Sequence, residues 1–450
     1  EPAADALGES LQRAGLPILR FKTGTPPRVD LATIDFSDME AQHTEPFTPP
    51  FSLWSDPSVR LPERPCYITR TTAETHRVIV ENIHLSALVA GYITGTGPRY
   101  CPSIEDKISK FPDKLTHKVF LEPEGVDSSE IYLQGLSTSL PEEVQEKYVR
   151  TLPGHAEAVI TRPGYGIEYD VVDPLDLYPT MMSRSIRNLF LAGQINGTSG
   201  YEEAAAQGLL AGLNSAAHLL NRPMLVLSPN NSYIGLLVEE ITTKKIIEPY
   251  RVFTSSSPFR LQLRMSNAEE RLSELAWRHG GISEDRYKLI TGRQQKIAEL
   301  EDAFNRRSLT PAQIGQQLPQ FAEPVLHSSA SLSQLLKRPE AQLRDFTSLI
   351  GEIEELDRLA EIELEARIKY SGYLQQQQKD YELRESMRLR AIPAGFYDNI
   401  PSAVSKEARM KIAALRPATL GELEKVPGVR ASDMAVIIMS LKKAGVENGG

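Results

Sequence analysis

Leu189-Phe-Leu-Ala-Gly-Gln-Ile-Asn-Gly-Thr-Ser-Gly-Tyr-Glu-Glu-Ala-Ala-Ala-Gln-Gly-Leu-Leu-Ala-Gly212 sets a short apolar run, a glycine-rich turn and a small-residue helix end to end. The run Leu189-Phe190-Leu191-Ala192 has the length and apolarity of an inner parallel strand. Gly193, Gly197 and Gly200 then let backbone N–H groups approach a ligand closely. A helix is predicted to start near Thr198 or Ser199, and along it Ala204, Gly208, Gly212 and Ala216 recur every four residues. That stripe lacks bulk and suits close packing on a sheet or cofactor, at a propensity cost of ~1 kcal/mol per glycine. Strand, turn and helix in this order are how a flavin or dinucleotide site is built. The same pattern also makes an ordinary corner of an α/β domain, and alone it names no cofactor.

The first turn of that helix bears on ligand charge. A helix N-terminus carries roughly half a positive charge and favours anions, but Glu202 and Glu203 already stand there. A pyrophosphate directly above them would be repelled. A reduced flavin, whose negative charge lies at the pyrimidine end of its ring, fits better if the free N–H groups before Tyr201 face it.

With 450 residues, 41% hydrophobic and 24% charged, the chain has an ordinary globular composition and the length for two or three domains. No apolar run approaches the roughly 20 residues of a membrane-spanning helix. Two cysteines, Cys66 and Cys101, argue against a disulfide framework and suit a reducing compartment. The net charge of -9 argues against a surface coated in nucleic acid but leaves room for basic patches. Arg251, Arg260 and Arg264 form one candidate cluster, and Arg384, Arg388 and Arg390 another. The eight histidines show no HxxxH, HExxH or Cys/His ligand spacing, so no metal site is expected.

Residues 1–26 read as part of a flavin domain, with a strand at 18–21. An excursion over 27–97 is proline-rich from 44 to 65, strand-like at 66–69 and helical from 73 to 83. Its prolines forbid regular helix in the first half. Residues 98–224 return to the flavin domain, with strands at 118–121, 131–136 and 159–161 and a helix over 141–152. Residues 225–450 read as helical, with helices predicted at 232–245, 267–279, 285–305, 342–367, 370–387 and 404–415. The polar stretch 308–333 reads as a linker or variable loop. Residues 419–434 read as two short helices around Pro427-Gly428, either a helix-hairpin-helix or a plain bundle corner.

Five further motifs stand in order beside the opening stretch: Lys22-Thr-Gly-Thr-Pro-Pro-Arg28, Gly97-Pro-Arg-Tyr-Cys-Pro-Ser-Ile-Glu-Asp-Lys107, Phe120-Leu-Glu-Pro-Glu-Gly125, Arg162-Pro-Gly-Tyr-Gly-Ile-Glu-Tyr-Asp170 and Glu248-Pro-Tyr-Arg-Val-Phe-Thr-Ser255. Together the six resemble the GidA (MnmG) family, flavoproteins that modify the wobble uridine of certain transfer RNAs. The resemblance spans nearly the whole chain and weakens after Leu272. It implies an α/β FAD-binding domain, Rossmann-like and of glutathione-reductase type, with an inserted α+β domain over 27–97 associated with a nicotinamide nucleotide. It also implies an α-helical C-terminal region for tRNA and partner binding. Family members begin with a strand, a GxGxxG turn and a helix that hold the ADP half of FAD. No GxGxxG occurs here, and Gly95-Thr-Gly97-Pro-Arg-Tyr100 is the nearest approach. The FAD-binding domain is therefore expected to be incomplete at its N-terminus, and the chain to bind FAD poorly.

Cys101 is the sharpest catalytic candidate. It stands between Arg99 and Lys107, just before Ser103, the expected N-cap of a helix. Positive neighbours and a helix N-terminus both lower a thiol pKa. In uridine C5 chemistry a nucleophile adding to C6 makes C5 able to attack an electrophilic one-carbon unit, and the family's matching cysteine is regarded as catalytic. Cys66, in a strand pattern, reads as a packing residue. The resemblance implies flavin contacts from Gly193, Gln194, Asn196, Gly197 and Gly200, and nicotinamide-nucleotide contacts from Gly97, Arg99, Tyr100 and Lys107. Arg251 and Arg260 match family arginines implicated in tRNA modification, and guanidinium forks suit phosphate oxygens. One departure stands out: the family usually has Thr-Ser-Arg-Ala-Glu-Tyr-Arg-Leu where this chain has Thr254-Ser-Ser-Ser-Pro-Phe-Arg-Leu261, losing an arginine and a glutamate.

The resemblance further implies FAD, NAD(P)H as reductant, methylenetetrahydrofolate as carbon donor, a homodimer and a GTPase partner of the MnmE (TrmE) family. The rival readings are an NAD(P)H-dependent flavin oxidoreductase of a small molecule and a non-catalytic tRNA- and GTPase-binding fragment. The family works in bacterial cytoplasm and in mitochondria; divergence at 256–259 and the glutamine- and serine-rich stretches point to a mitochondrion.

Overall fold

A computed structural model describes residues 5–44, 54–55, 59, 61–98, 102–323, 327–424, 426 and 429–443. The chain divides into two compact units. The first comprises Glu1–Ile297 with Leu356–Ala360, and the second Ala298–Glu355 with Glu361–Gly450.

The first unit is organised by two antiparallel sheets. In the smaller, β1 (Ile18–Gly24) pairs along its whole length with β8 (Gly166–Val172), and Phe21 lies opposite Tyr169. The larger has the order β3-β4-β5-β6-β2-β7, built from Glu40–Gln42, Cys66–Arg70, Lys118–Pro123, Glu130–Gln134, Arg28–Asp30 and Ile160–Arg162. Strands on both sides of residue 97 thus belong to one sheet. Alternation decides its faces: Val119 and Leu121 of β5 and Ile131 and Leu133 of β6 are buried, while their neighbours are partly exposed or exposed. Helices α2 (Ala73–Asn82), α3 (Ile104–Lys110) and α4 (Glu142–Val149) add Ile79, Ile104, Ile108, Val144 and Tyr148 to the core that those strands line.

The expected inner strand at 189–192 is not one. Leu189 and Leu191 instead bond to the preceding turn, Ser183 N–H to Leu189 O at 2.8 Å, Leu189 N–H to Ile186 O at 3.3 Å and Leu191 N–H to Met181 O at 3.1 Å. A buried apolar run becomes a parallel strand only beside partner strands. Among the described residues, parallel pairing is limited to the isolated bridges Phe21 with Thr96 and Thr198 with Tyr250. The following helix, α5 (Tyr201–Leu219), starts two or three residues later than predicted. It buries Glu203, Gln207, Leu210, Ala211, Asn214 and Ala217, and a second core forms where Leu210 and Ala211 join Val172, Leu177, Leu191 and residues of α6 (Tyr233–Thr243). The small-residue stripe faces the other way: a Cβ on Gly208 or Gly212 would meet nothing within 4 Å. Only Ala204 of that stripe packs closely, against Gly193.

Helices α7 (Ala268–Arg278) and α8 (Glu284–Arg306) match the predicted pattern. In the second unit the expected linker at 308–333 is folded. Ser308–Leu309 pairs with Ala330–Ser331, and α9 (Pro311–Gln317) is closed by a capping box at Thr310. Polar composition hid a sparse apolar face, in which Ile314, Leu318 and Phe321 are buried and Phe321 stacks on Phe346. The predicted helices at 342–367 and 370–387 become two 3-10 turns and one long helix, α11 (Arg358–Arg388). Asp357 sets its start by accepting the N–H groups of Leu359 and Ala360, both at 3.0 Å. The last helices, α12 (Lys406–Leu415), α13 (Leu420–Glu424) and α14 (Ala431–Lys443), bury Ala408, Ile412, Leu423 and Ile437 together. Pro427-Gly428, the turn of the proposed hairpin, lies outside the described residues.

Candidate functional site

The turn before α5 is held from inside by a buried polar network. Gln207 Oε1 accepts the Gly193 N–H at 3.1 Å and the Asn196 side-chain amide at 2.8 Å. Gln207 Nε2 donates to Thr198 Oγ1 at 2.6 Å, and Thr198 Oγ1 donates to Gly193 O at 2.8 Å. Asn196 also reaches Leu191 O at 2.9 Å. Gln207, Asn196 and Thr198 are all fully buried, so these bonds fix the turn where water cannot compete. Gly193 (φ 84°) and Gly197 (φ 76°) adopt left-handed backbone. A Cβ on Gly197 would lie 2.5 Å from Ile246 and 3.0 Å from the Phe21 ring. Glycine there serves packing of protein on protein, not the approach of a ligand. Gln194 and Ser199 are exposed, and they, not Asn196, form the outer side of the turn.

Glu203 is not poised to repel a ligand. Its Oε1 accepts Arg251 Nε and the Val252 N–H, each at 3.0 Å, while Glu202 lies 3.9 Å from the same guanidinium. Arg251, predicted to meet tRNA, therefore clamps the start of α5 and cancels part of the charge there. Of its cluster, Arg264 Nη1 donates to Leu261 O at 2.6 Å, and Arg260 is exposed.

A second loop converges on the same strand. The segment 94–96 runs beside β1, with Lys22 N–H bonded to Thr96 O at 3.0 Å. Glu168 on β8 holds it: Oε1 accepts the N–H of Gly95 at 2.6 Å and of Thr94 at 2.7 Å, and the carboxylate pairs with Arg20 at 3.6 Å. Burial opposes its ionisation, but those two N–H groups and Arg20 outweigh it and keep the carboxyl below the usual glutamate range. Phe21 joins the two halves. Its backbone sits against Gly95, where a Cβ would come within 2.8 Å, and its ring against Gly197.

Arg99, Tyr100 and Cys101 lie outside the described residues. Pro98 and Pro102 on either side of them line one pocket with Lys22, Ser103, Asp106 and Thr138. Ser103 caps α3 as expected, accepting the Asp106 N–H at 3.2 Å. Lys107 turns to the interior, its ammonium 2.8 Å from Gly135 O. Gly97 gives Lys22 room, since a Cβ there would come within 2.6 Å of its Cε. Cys66 opens β4 half-buried, and burial, then Glu122, pushes its thiol pKa up, as suits a packing cysteine. Glu168, Gln207, Lys22 and Asp106 were not singled out as site residues in the sequence; a polar residue recurring at a core-facing register, as Gln207 does beside Leu210 and Asn214, is the signal that finds one of them.

The turn suits the flavin end of FAD on two counts. Helix α5 has no side-chain cap at Gly200, which leaves its first N–H groups open to a ligand, and Glu203 Oε2 in its first turn is buried without a hydrogen-bond partner. A braced glycine turn at an uncapped helix start, facing a loop pinned to the neighbouring strand, defines a flavoprotein-type domain, here followed by a helical region. Comparison with known proteins places it. The Glucose inhibited division protein A profile matches residues 1–223, the MnmG/GidA C-terminal helical domain 284–378 and the MnmG/GidA C-terminal helical bundle 379–449. The tRNA uridine 5-carboxymethylaminomethyl modification enzyme MnmG of Caldicellulosiruptor saccharolyticus is 41% identical over 442 residues, 98% of this chain and 70% of that protein. Its counterpart in Geobacillus thermodenitrificans is 41% identical over 97% of this chain and 70% of its own length. Aquifex aeolicus GidA, in its form II crystal, superposes with a TM-score of 0.77 at 39% identity, covering 97% of this chain and 69% of its own. The chain belongs to the GidA/MnmG family of tRNA uridine 5-carboxymethylaminomethyl modification enzymes. No helix among the described residues is long and apolar enough to cross a membrane.

Proposed function

We propose that this protein is an FAD-dependent enzyme that installs an aminomethyl-type group at C5 of the wobble uridine of tRNA. The observation that carries the reading is the convergence on Phe21 of the braced turn and of the loop that leads to the Cys101 segment. Gln194, Ser199 and the first N–H groups of α5 hold the flavin ring, which supplies redox chemistry when bound. Cys101 is the nucleophile. Its thiolate adds to C6 of the uracil, and the electron pair of the C5–C6 double bond moves toward the C4 carbonyl, making C5 nucleophilic. Once C5 has bonded the one-carbon unit and lost its proton, expulsion of the thiolate restores the double bond. The base must leave its stack to reach this loop.

Methylenetetrahydrofolate is the carbon donor and NAD(P)H the reductant, with Gly97, Arg99 and Tyr100 on the nucleotide side, while Lys107, predicted to join them, is instead held on Gly135 O. Arg260 meets tRNA phosphate, and Arg251 joins it from its place on Glu203. The helical region over 225–450 serves tRNA and an MnmE-type GTPase, and the protein works as a homodimer, in a mitochondrion or in bacterial cytoplasm. The test is complementation of cells lacking their own enzyme, with tRNA nucleosides read by mass spectrometry. The C5-modified uridine is expected to return; its absence, with the protein expressed and folded, contradicts the reading.

A further inference from the structure

Lys22 is the one cation among the described residues that line the pocket beside Pro98 and Pro102. Its arm crosses Gly97, where a Cβ would come within 2.6 Å of Cε, so glycine at 97 is what lets the ammonium reach the pocket. The side chain is only 17% exposed. Nζ lies 3.9 Å from Asp106 Oδ2, beyond hydrogen-bond length, and that aspartate is shared with Lys110, 3.5 Å from its other oxygen. Asp106 thus steers the ammonium without taking up its N–H groups. Burial lowers the lysine pKa; Asp106, Glu105 and Glu168 act against that shift, and Lys110 acts with it. The other polar groups of the wall are hydroxyls: Ser139 Oγ donates to Glu105 at 3.0 Å, Thr138 Oγ1 accepts the Leu140 N–H at 3.1 Å, and Ser103 Oγ accepts the Asp106 N–H at 3.2 Å.

These surroundings disfavour a resident anion. A phosphate or carboxylate here would meet Asp106 in the wall and buried Glu105 on Ser139, with a single cation to set against them. An uncharged carbonyl escapes that repulsion, and a shielded ammonium beside it stabilises negative charge that appears only during reaction. The C4 carbonyl of uracil is such a group, because a thiolate adding to C6 sends the C5–C6 electron pair toward that oxygen. We propose that Lys22 is a catalytic residue of the wobble-uridine chemistry, its ammonium donating to the C4 oxygen of the uracil as the thiolate adds to C6. In that step the S–C6 bond forms, the C5–C6 π bond breaks, C4–C5 becomes double and C4–O single. The proton of Lys22 moves to O4 and leaves a neutral amine. It returns to Nζ when C5 takes up an electrophile, either a solvent proton or the one-carbon unit. A lysine of lowered pKa suits the task, since it yields its proton more readily than an exposed one. The inference rests on the tRNA-modifying function proposed above and adds to it a residue of β1.

The test is tritium release from a tRNA labelled only at C5 of its wobble uridine, incubated with the 450-residue chain. Reversible addition exchanges that atom with water and needs neither flavin nor one-carbon donor. At saturating tRNA, Lys22→Met should slow release at least about 100-fold. Lys22→Arg, which keeps the charge but gives up no proton, should slow it about tenfold. The alkaline fall of the wild-type pH profile should move to lower pH in Asp106→Asn, which loses a group that keeps the lysine protonated, and should disappear in Lys22→Arg. A merely structural lysine would leave the shape of the profile alone. Melting curves show which variants fold; should Lys22→Met fail to fold, the profiles of the other two still decide. Wild-type release by folded Lys22→Met, a loss confined to tRNA affinity, or an unmoved alkaline limb overturns the proposal. No release by the wild type, or undiminished release by Cys101→Ala, sinks the tRNA-modifying reading and this inference with it. Release that needs Cys101 but not Lys22 sinks this inference alone.

Discussion

Glu168 accepts the backbone N–H of Gly95 at 2.6 Å, and through that bond β8 holds the segment 94–96 that precedes Cys101 in the chain. A carboxylate bonded to two backbone N–H groups cannot be removed without leaving both unpaired. Glu168→Ala should cost about 1–3 kcal/mol in urea unfolding, and Glu168→Gln, which keeps one acceptor oxygen, clearly less. Equal loss in both variants would show that the bonds to Thr94 and Gly95 are not what matters.

The same carboxyl gives a pH dependence with a definite sign. Its folded pKa lies below the usual glutamate value, so its stabilisation is fully present above that value. It is lost as pH falls through the folded pKa. Melting temperature of the wild type should therefore drop more between neutral pH and the acid side of the carboxylate range than that of Glu168→Gln; parallel curves would contradict this.

Gln207→Leu tests the brace of the turn at 193–200. It strands the Gly193 N–H and one N–H of the Asn196 amide in a dry interior, and takes the donor from Thr198 Oγ1. At about 1–3 kcal/mol for an unsatisfied buried group, the variant should lose at least that much stability and should lose flavin absorbance before it unfolds. A variant as stable as wild type would mean that water or a rotated side chain replaces Gln207.

The glycines of the opening stretch should respond in opposite ways. Gly197→Ala forces a side chain into left-handed backbone 2.5 Å from Ile246 and should destabilise strongly, by more than about 1 kcal/mol. Gly208→Ala and Gly212→Ala enter open space on a helix and should each stabilise by about 0.5–1 kcal/mol. If they stabilise the isolated protein but impair tRNA modification, that face of α5 is covered in the working complex.

Arg251 and Arg260 should separate structure from RNA binding. Arg260→Ala should leave the melting temperature unchanged and make the salt slope of tRNA binding shallower by about one. Arg251→Ala should lower both affinity and stability, because it leaves buried Glu203 with only the Val252 N–H. Identical behaviour of the two would remove Arg251 from the clamp.

Local chemistry was legible in the sequence where one residue decides the outcome. Ser103 caps α3, Ala73–Asn82 is helical, and the α8 and α12 patterns hold to within two or three residues. What failed depended on distant partners. The run 189–192 looks like an inner strand from its own residues, yet among the described residues it has no neighbouring strand to pair with and stays a bridged turn. The every-fourth-residue stripe of α5 was placed inside because small residues permit close packing, whereas the buried face is set by Gln207, Leu210 and Asn214. Glu203 looked repulsive at a helix start because Arg251, 48 residues away, was not yet beside it. Sequence proximity showed which residues carry charge; only the fold shows which charges are already spoken for.

The central claim is that the turn at 193–200 and the Cys101 loop form one site. Its most direct test is the rate of iodoacetamide alkylation at Cys101, followed by peptide mass spectrometry with FAD added until flavin absorbance shows it bound and without FAD, Cys66 serving as internal reference. Bound flavin should slow alkylation of Cys101 several-fold and leave Cys66 unaffected. Equal rates at Cys101 in the two forms would place the flavin and the thiol in separate sites and contradict the account.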